Sequence, residues 1–182
     1  MPDAASIDNS ILVEQAKTDP AAFAELYRRY LNPVYGYVLA RVGDPKDAED
    51  VVAQVFLDVL QGLAGYRSQG HFTAWLFTIA RRRSADFYRR RQPGLPIEEA
   101  ATLCDPAPDA ANALARKEDL AFLARLLREL GEAERELLRL RFAAGLSFGE
   151  IAAVLGRGES AVKMSYYRLL ERLQARWERE NG

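Results

Sequence analysis

Lys163, Met164, Tyr167 and Arg168 recur at intervals that place them together on one side of a helix, away from Val162, Tyr166, Leu169, Leu170 and Leu173. The apolar set can pack inward. The other set is free to enter a DNA major groove, where side chains hydrogen-bond to base edges while cations hold phosphates. The chemistry would be non-covalent recognition. An ordinary αα-hairpin with a solvated charged face shares this periodicity, but the small residues at the turn and the outward cations favour DNA. A second group lies upstream. Positions 81–91, RRRSADFYRRR, hold six arginines and one aspartate. Tyr66, His71, Phe72, Trp75, Phe77, Phe87 and Tyr88 lie around this run. Aromatic rings among arginines can stack on unpaired bases while the cations track the backbone. Trp75, with Leu76 and Ile79, has the pattern of a packing residue. Tyr66, Phe72, Phe87 and Tyr88 remain open to either role.

Positioning these groups needs helices. Leu146 to Leu173 reads as a helix-turn-helix: Ser147 caps a short helix, Gly156 supplies the turn, and Ser160 caps a second helix to about Leu173. Elsewhere the apolar spacing is also helical, and no segment alternates long enough for a strand. Helices are expected at about Asp8–Thr18, from Asp19-Pro20 to Gly43 with a kink at Pro33, at Pro45 to about Leu60, at Phe72–Arg91, at Ala111–Glu129 and at Glu132–Ala143. The third of these puts Ala48, Val51, Val52, Val55, Phe56, Val59 and Leu60 inward, and Asp47, Glu49, Asp50, Gln54 and Asp58 outward. That acidic face could be merely solvated or could dock on a basic partner. The segment 92–109 holds four of the eight prolines and has no periodicity, so it reads as a linker. The expected fold is all-α, with two small helical domains (1–92 and 115–182) joined by a flexible linker at 93–114.

The chain is 49% hydrophobic and 28% charged, with a net charge of −1. This is a globular composition, not that of a polybasic binder. A local basic stripe on a near-neutral chain suits DNA contact that depends on a partner for much of its affinity. Cys104 and His71 are the single cysteine and the single histidine, so no intramolecular disulfide and no ordinary zinc site is expected, and no metal or cofactor is implied. Cys104 reads as an incidental thiol. No phosphate-binding loop or nucleophile elbow is present, so the chain is not expected to be an enzyme. The acid-containing N-terminus does not read as a signal peptide and no apolar run has membrane-span length, so a cytoplasmic protein without membrane insertion is expected.

Taken in order, DAEDVVAQVFLDVL, FTAWLFTIARRRSADFYRRR and the segment LRELGEAERELLRLRFAAGLSFGEIAAVLGRGESAVKMSYYRLLERL resemble bacterial RNA polymerase sigma factors of the extracytoplasmic-function (ECF) group. The resemblance covers about 8–92 and 115–178. It implies a transcription initiation factor that binds core RNA polymerase, recognises minus-35 and minus-10 promoter elements and promotes strand opening. Asp47, Asp50, Gln54 and Phe56 would meet the polymerase. The loop Tyr66, Arg67, Ser68 to His71 would capture a flipped base. Arg81, Arg83, Arg89 and Arg90 would line the melted promoter edge beside Phe72, Phe87 and Tyr88, with Asp86 orienting arginines. Lys163, Met164, Tyr167 and Arg168 would face the minus-35 groove, with Arg157 and Arg172 near phosphates. Partners would be core polymerase, promoter DNA as duplex and as melted single strand, and an anti-sigma factor. Three departures stand out: Ala53-Gln54 where Gln-Glu is usual, Arg82 where Asn is common, and Met164-Ser165 in place of Ser-Arg. The rival reading is a stand-alone helix-turn-helix regulator that binds duplex DNA without polymerase.

Overall fold

The computed structural model describes residues 4–67, 71–90 and 122–181. The expected linker, Ser68 and Cys104 lie outside the described residues. Every regular element described is helical. Helix α1 spans Ala4–Gln15 and seats Val13 against α2, Pro20–Val42. Asp19 starts α2: its carboxylate accepts from the Ala21 amide at 2.8 Å, and Pro20 occupies the first turn. The helix runs through Pro33 uninterrupted and stops at Gly43, whose φ of 88° only glycine adopts readily. Asp44 repeats the device for α3, Pro45–Leu63, accepting from the Asp47 amide at 3.0 Å. Helix α4 covers Phe72–Arg90.

Helices α2, α3 and α4 enclose an apolar core. Leu26, Val34, Tyr37 and Val38 meet Val51, Val55, Val59 and Leu63, and Leu76, Phe77 and Ala80 close it. Leu60, expected inward, is 51% exposed. Val52, Val55, Val59 and Leu63 already hold the inward stripe, and one residue past Val59 turns about 100° away from it.

The C-terminal half begins with a helical stretch, α5 (122–128), followed by α6, Glu132–Leu138. A single π turn, Arg139–Ala143, continues α6, with the Ala144 amide donating to the Arg139 carbonyl at 3.0 Å. Helix α7, Phe148–Leu155, opens on a reciprocal cap between Ser147 and Glu150 and ends at Gly156, φ 63°. Helix α8 runs Glu159–Asn181. Two expectations change here. The Val162 amide donates to the Gly158 carbonyl, so α8 starts before Ser160, which sits inside its first turn. It also continues past Leu173, because Trp177 packs on Phe122 at 5.0 Å and Arg176 pairs with Glu129. No described helix is long and apolar enough to cross a membrane.

The two halves touch. Leu137, Leu140, Ile151, Ala152 and Val154 belong to the same buried cluster as the α2 and α4 residues. Gly36 on α2 makes this approach possible: a Cβ there would lie 2.6 Å from the Ala143 carbonyl oxygen of the π turn.

Candidate nucleic-acid and polymerase interface

Helix α8 presents the two faces its spacing requires. Val162 and Leu169 are buried and Tyr166 half-buried, whereas Lys163, Met164, Tyr167 and Arg168 are exposed. Val162, fully buried, keys the helix onto α7. The outward set carries one thioether, one phenol and two cations, suited to groove contacts of mixed polarity. Lys163 reaches back to Glu159 at 2.7 Å, which raises its pKa, and so stays charged. Arg157, from the turn, donates to the Ser165 hydroxyl at 2.8 Å and so lies across the start of α8. Arg172 pairs with Glu134 at 2.5 Å and holds that carboxyl below its usual range. Phe142 is 66% exposed beside Tyr166, and Phe148 lies 5.2 Å from the same ring under the Arg141 guanidinium. This aromatic corner was not foreseen from sequence, because spacing alone does not say which ring faces water.

On the other half, Tyr66 and Trp75 lie ring against ring at 4.8 Å, both half-buried, and Gly62 leaves room for the indole. Arg67 and His71 flank them, both exposed. Phe72 proves to be core. It is 6% exposed beneath Tyr30, Tyr66 and Trp75, and does not present a stacking face. Phe87 packs against the core, and the Tyr88 hydroxyl donates to the Arg41 carbonyl, tying α4 to the end of α2. Both rings therefore position the arginine-rich helix, with only part of their surface open.

The arginines of α4 are held by carboxylates. Arg83 Nε donates to Asp58 Oδ2 at 2.6 Å, and Arg82 reaches the same oxygen at 3.0 Å. These bonds hold Asp58 below the usual carboxylate range despite its partial burial. Arg89 is paired with Asp86. Arg90 is exposed. Arg81 reaches across to Glu136 of the other half at 3.3 Å. Asp58 and Glu136 had no sequence signal as partners of other helices, because the residues they meet there stand 24 to 99 positions away.

On α3, Asp50 and Gln54 are exposed and Asp47 is half-buried. Phe56 is buried beneath Tyr27, with ring centroids 4.6 Å apart. The outward apolar surface is made instead by Leu57, Leu60 and the edge of Tyr27, at 48%, 51% and 37% exposure. Leucines beside acids on an open helix face suit protein docking.

A protein of two helical units, one with a basic aromatic helix and one with a helix-turn-helix, is the class this geometry defines. Comparison with known proteins is specific. Residues 26–93 match the Sigma-70 region 2 family and residues 123–173 match Sigma-70 region 4. The ECF RNA polymerase sigma factor BldN of Streptomyces coelicolor is 36% identical over 166 residues, 89% of this chain and 63% of that protein. SigK of Mycobacterium tuberculosis, another ECF sigma factor, is 30% identical over 85% of each chain. The solved structure of CnrH in complex with the cytosolic domain of CnrY covers 93% of this chain and 96% of that one, at 27% identity and a TM-score of 0.67. The chain belongs to the ECF RNA polymerase sigma factors, and it is a transcription initiation factor.

Proposed function

We propose that the outer face of α3 docks on core RNA polymerase, α8 reads a minus-35 duplex, and the Tyr66–His71 segment with α4 captures and holds the melted minus-10 strand. The carrying observation is the pairing of an exposed, mixed cation and thioether face on a capped helix-turn-helix with a half-buried Tyr66–Trp75 ring pair beside a run of arginines. Ser147, Glu150 and Gly156 fix the angle at which α8 meets the groove. Extruding a base costs a few kcal/mol. Stacking on an aromatic ring returns about 1–3 kcal/mol per base, so capture at Tyr66 and Trp75 offsets most of that cost. Arg89 and Arg90 then neutralise the freed backbone. Docking through Leu57, Leu60, Asp50 and Gln54 holds both DNA surfaces on one particle, so each raises the effective concentration of the other. The chain acts by binding rather than catalysis, in the cytoplasm beside the polymerase. CnrH is bound by the cytosolic domain of CnrY, and this chain's similarity to it supports a comparable anti-sigma partner here.

Run-off transcription with purified core polymerase, on genomic fragments including the region upstream of the chain's own gene, tests this. New discrete start sites are expected only when the chain is added. Folded protein that yields no new starts overturns the proposal, and tight duplex binding by the free chain would then point to a stand-alone regulator.

A further inference from the structure

Met164 is 55% exposed in the second turn of α8. Val162 and Leu169, both buried, define the side of that helix turned to the core. At about 100° per residue, Met164 stands roughly 200° from Val162 and 140° from Leu169, so it projects away from the rest of the chain. Its neighbours on the helix surface, one turn to either side, are Ser160, Ala161, Tyr167 and Arg168, all exposed. Ala161 and Met164 together make a short apolar strip.

The residues on either side of Met164 in sequence are held within the chain. Lys163 pairs with Glu159 at 2.7 Å. The Ser165 hydroxyl donates to the Ala161 carbonyl at 2.8 Å and accepts from Arg157 at 2.8 Å. Arg157 also donates to the Ala161 carbonyl at 3.4 Å. A cation therefore stands on each flank of an apolar centre, Lys163 on one and Arg157 on the other.

We propose that Met164 is a specificity-determining residue whose thioether side chain reads the C5 methyl group of a thymine in the upstream promoter element. The proposal rests on the reading of α8 as the duplex-recognising helix, and it names the base and the atom that are read. A major groove about 12 Å wide admits a helix about 10–12 Å across. With α8 seated there, the flanking cations face the phosphates of the two strands, and the residue opposite the core faces the groove floor. Base edges on that floor present nitrogen and oxygen groups, and thymine alone adds a methyl group. Methionine has no hydrogen to donate, and its sulfur is a weak acceptor. Over an adenine amino group or a guanine carbonyl it would displace water and return no hydrogen bond. Over a thymine methyl it buries apolar surface on both partners. The unbranched side chain adapts to the height of the methyl group, and the short Ala161 side chain leaves room beside it. Selection thus works twice, by attraction to thymine and by a desolvation penalty against the other bases.

Deoxyuridine differs from thymidine only in lacking this methyl group, so it isolates the contact. Run-off mapping supplies a cognate promoter. Each thymine of its upstream element, on either strand, is then replaced singly by deoxyuridine. Binding of the polymerase holoenzyme containing this chain is measured for wild type, Met164→Ala and Met164→Leu. Both variants should keep the helical circular dichroism of wild type, because the side chain is exposed and alanine and leucine are good helix formers. For wild type, loss of the methyl group at one position should weaken binding about fourfold, the effect of one buried carbon group. Met164→Ala should bind the two forms equally, and Met164→Leu should keep the preference. An upstream element with no methyl-sensitive thymine overturns the proposal, as does a sensitivity that survives in Met164→Ala. Weaker binding by Met164→Ala with no dependence on any methyl group also overturns it, and would assign the side chain to a protein contact. Output that ignores replacement of the whole upstream element would instead fail the reading of α8 as a duplex reader. Element-dependent output without methyl sensitivity removes only the role of Met164.

Discussion

The Lys163 ammonium lies on the open side of α8, paired with Glu159 and 5.9 Å from the half-buried Phe148 ring, so its loss should bear on recognition more than on folding. Lys163→Ala should leave the thermal midpoint almost unchanged, because exposed substitutions usually fall within about 0.5 kcal/mol. The same change should weaken use of the cognate upstream element by about 1–3 kcal/mol if the lysine contacts a base. Paired thermal melts and transcription assays check this, and undiminished transcription would remove Lys163 from the interface. Trp75→Ala should, by contrast, lower stability as well. Its indole is half-buried against Tyr66, Phe72 and Gly62, and truncation should cost about 2–4 kcal/mol of stability. Equal melting temperatures for wild type and variant would contradict that packing role. The division of α8 into Val162, Tyr166 and Leu169 inside and Lys163, Met164, Tyr167 and Arg168 outside was legible in the sequence, because helical spacing alone fixes it. The burial of Phe72 was not, because it depends on Tyr30 and Tyr66 arriving from elsewhere in the fold, whereas the inward place of Phe56 follows from its spacing on α3, with Tyr27 covering it.

At the scale of elements, local chemistry decides where helices begin, and tertiary contacts decide where some of them end. Asp19-Pro20, Asp44-Pro45 and Ser147 with Glu150 act within four residues of themselves, so the starts of α2, α3 and α7 can be read directly. The extension of α8 past Leu173 follows from Phe122 and Glu129, and the π turn at Arg139–Ala143 accompanies the approach of Gly36; neither leaves a mark on the local pattern. The Asp58 clasp joining α3 to α4 gives an acid-side prediction. Arg83 and Arg82 lower the folded-state pKa of Asp58. Its stabilising effect is therefore fully present above the unfolded-state pKa, near 4, and is lost as pH falls through the lower folded value. Asp58→Asn should destabilise the chain at pH 7 by about 1–3 kcal/mol, and the penalty should shrink as pH drops below about 4. Denaturant midpoints measured from pH 7 to pH 2 check this, and a penalty constant across that range would mean the carboxylate charge contributes nothing.

Across the whole molecule, the charge balance has a structural reason. Cations assigned to DNA sit beside carboxylates of the chain: Arg81 by Glu136, Arg83 by Asp58, Arg89 by Asp86, Lys163 by Glu159 and Arg172 by Glu134. A phosphate must displace an internal partner at each of these positions, so the net benefit at each is small and free-chain affinity for DNA should be weak. With net charge −1, long-range attraction does not compensate. Neutralising the two partners on the helix-turn-helix half should reverse this. Glu134→Gln retains an acceptor for the Gly131 amide, and Glu159→Gln keeps the size of the first residue of α8, so both variants should fold. Together they free Arg172 and Lys163. The double variant should bind non-cognate duplex more tightly at low salt. Its plot of log affinity against log salt should steepen by about 0.9 for each additional phosphate that the freed cations neutralise, about 2 in all. Discrimination between cognate and non-cognate duplex should fall at the same time, because the added affinity is blind to sequence. An unchanged salt slope would mean that Glu134 and Glu159 do not compete with phosphate, and that the weak charge balance is incidental to promoter choice.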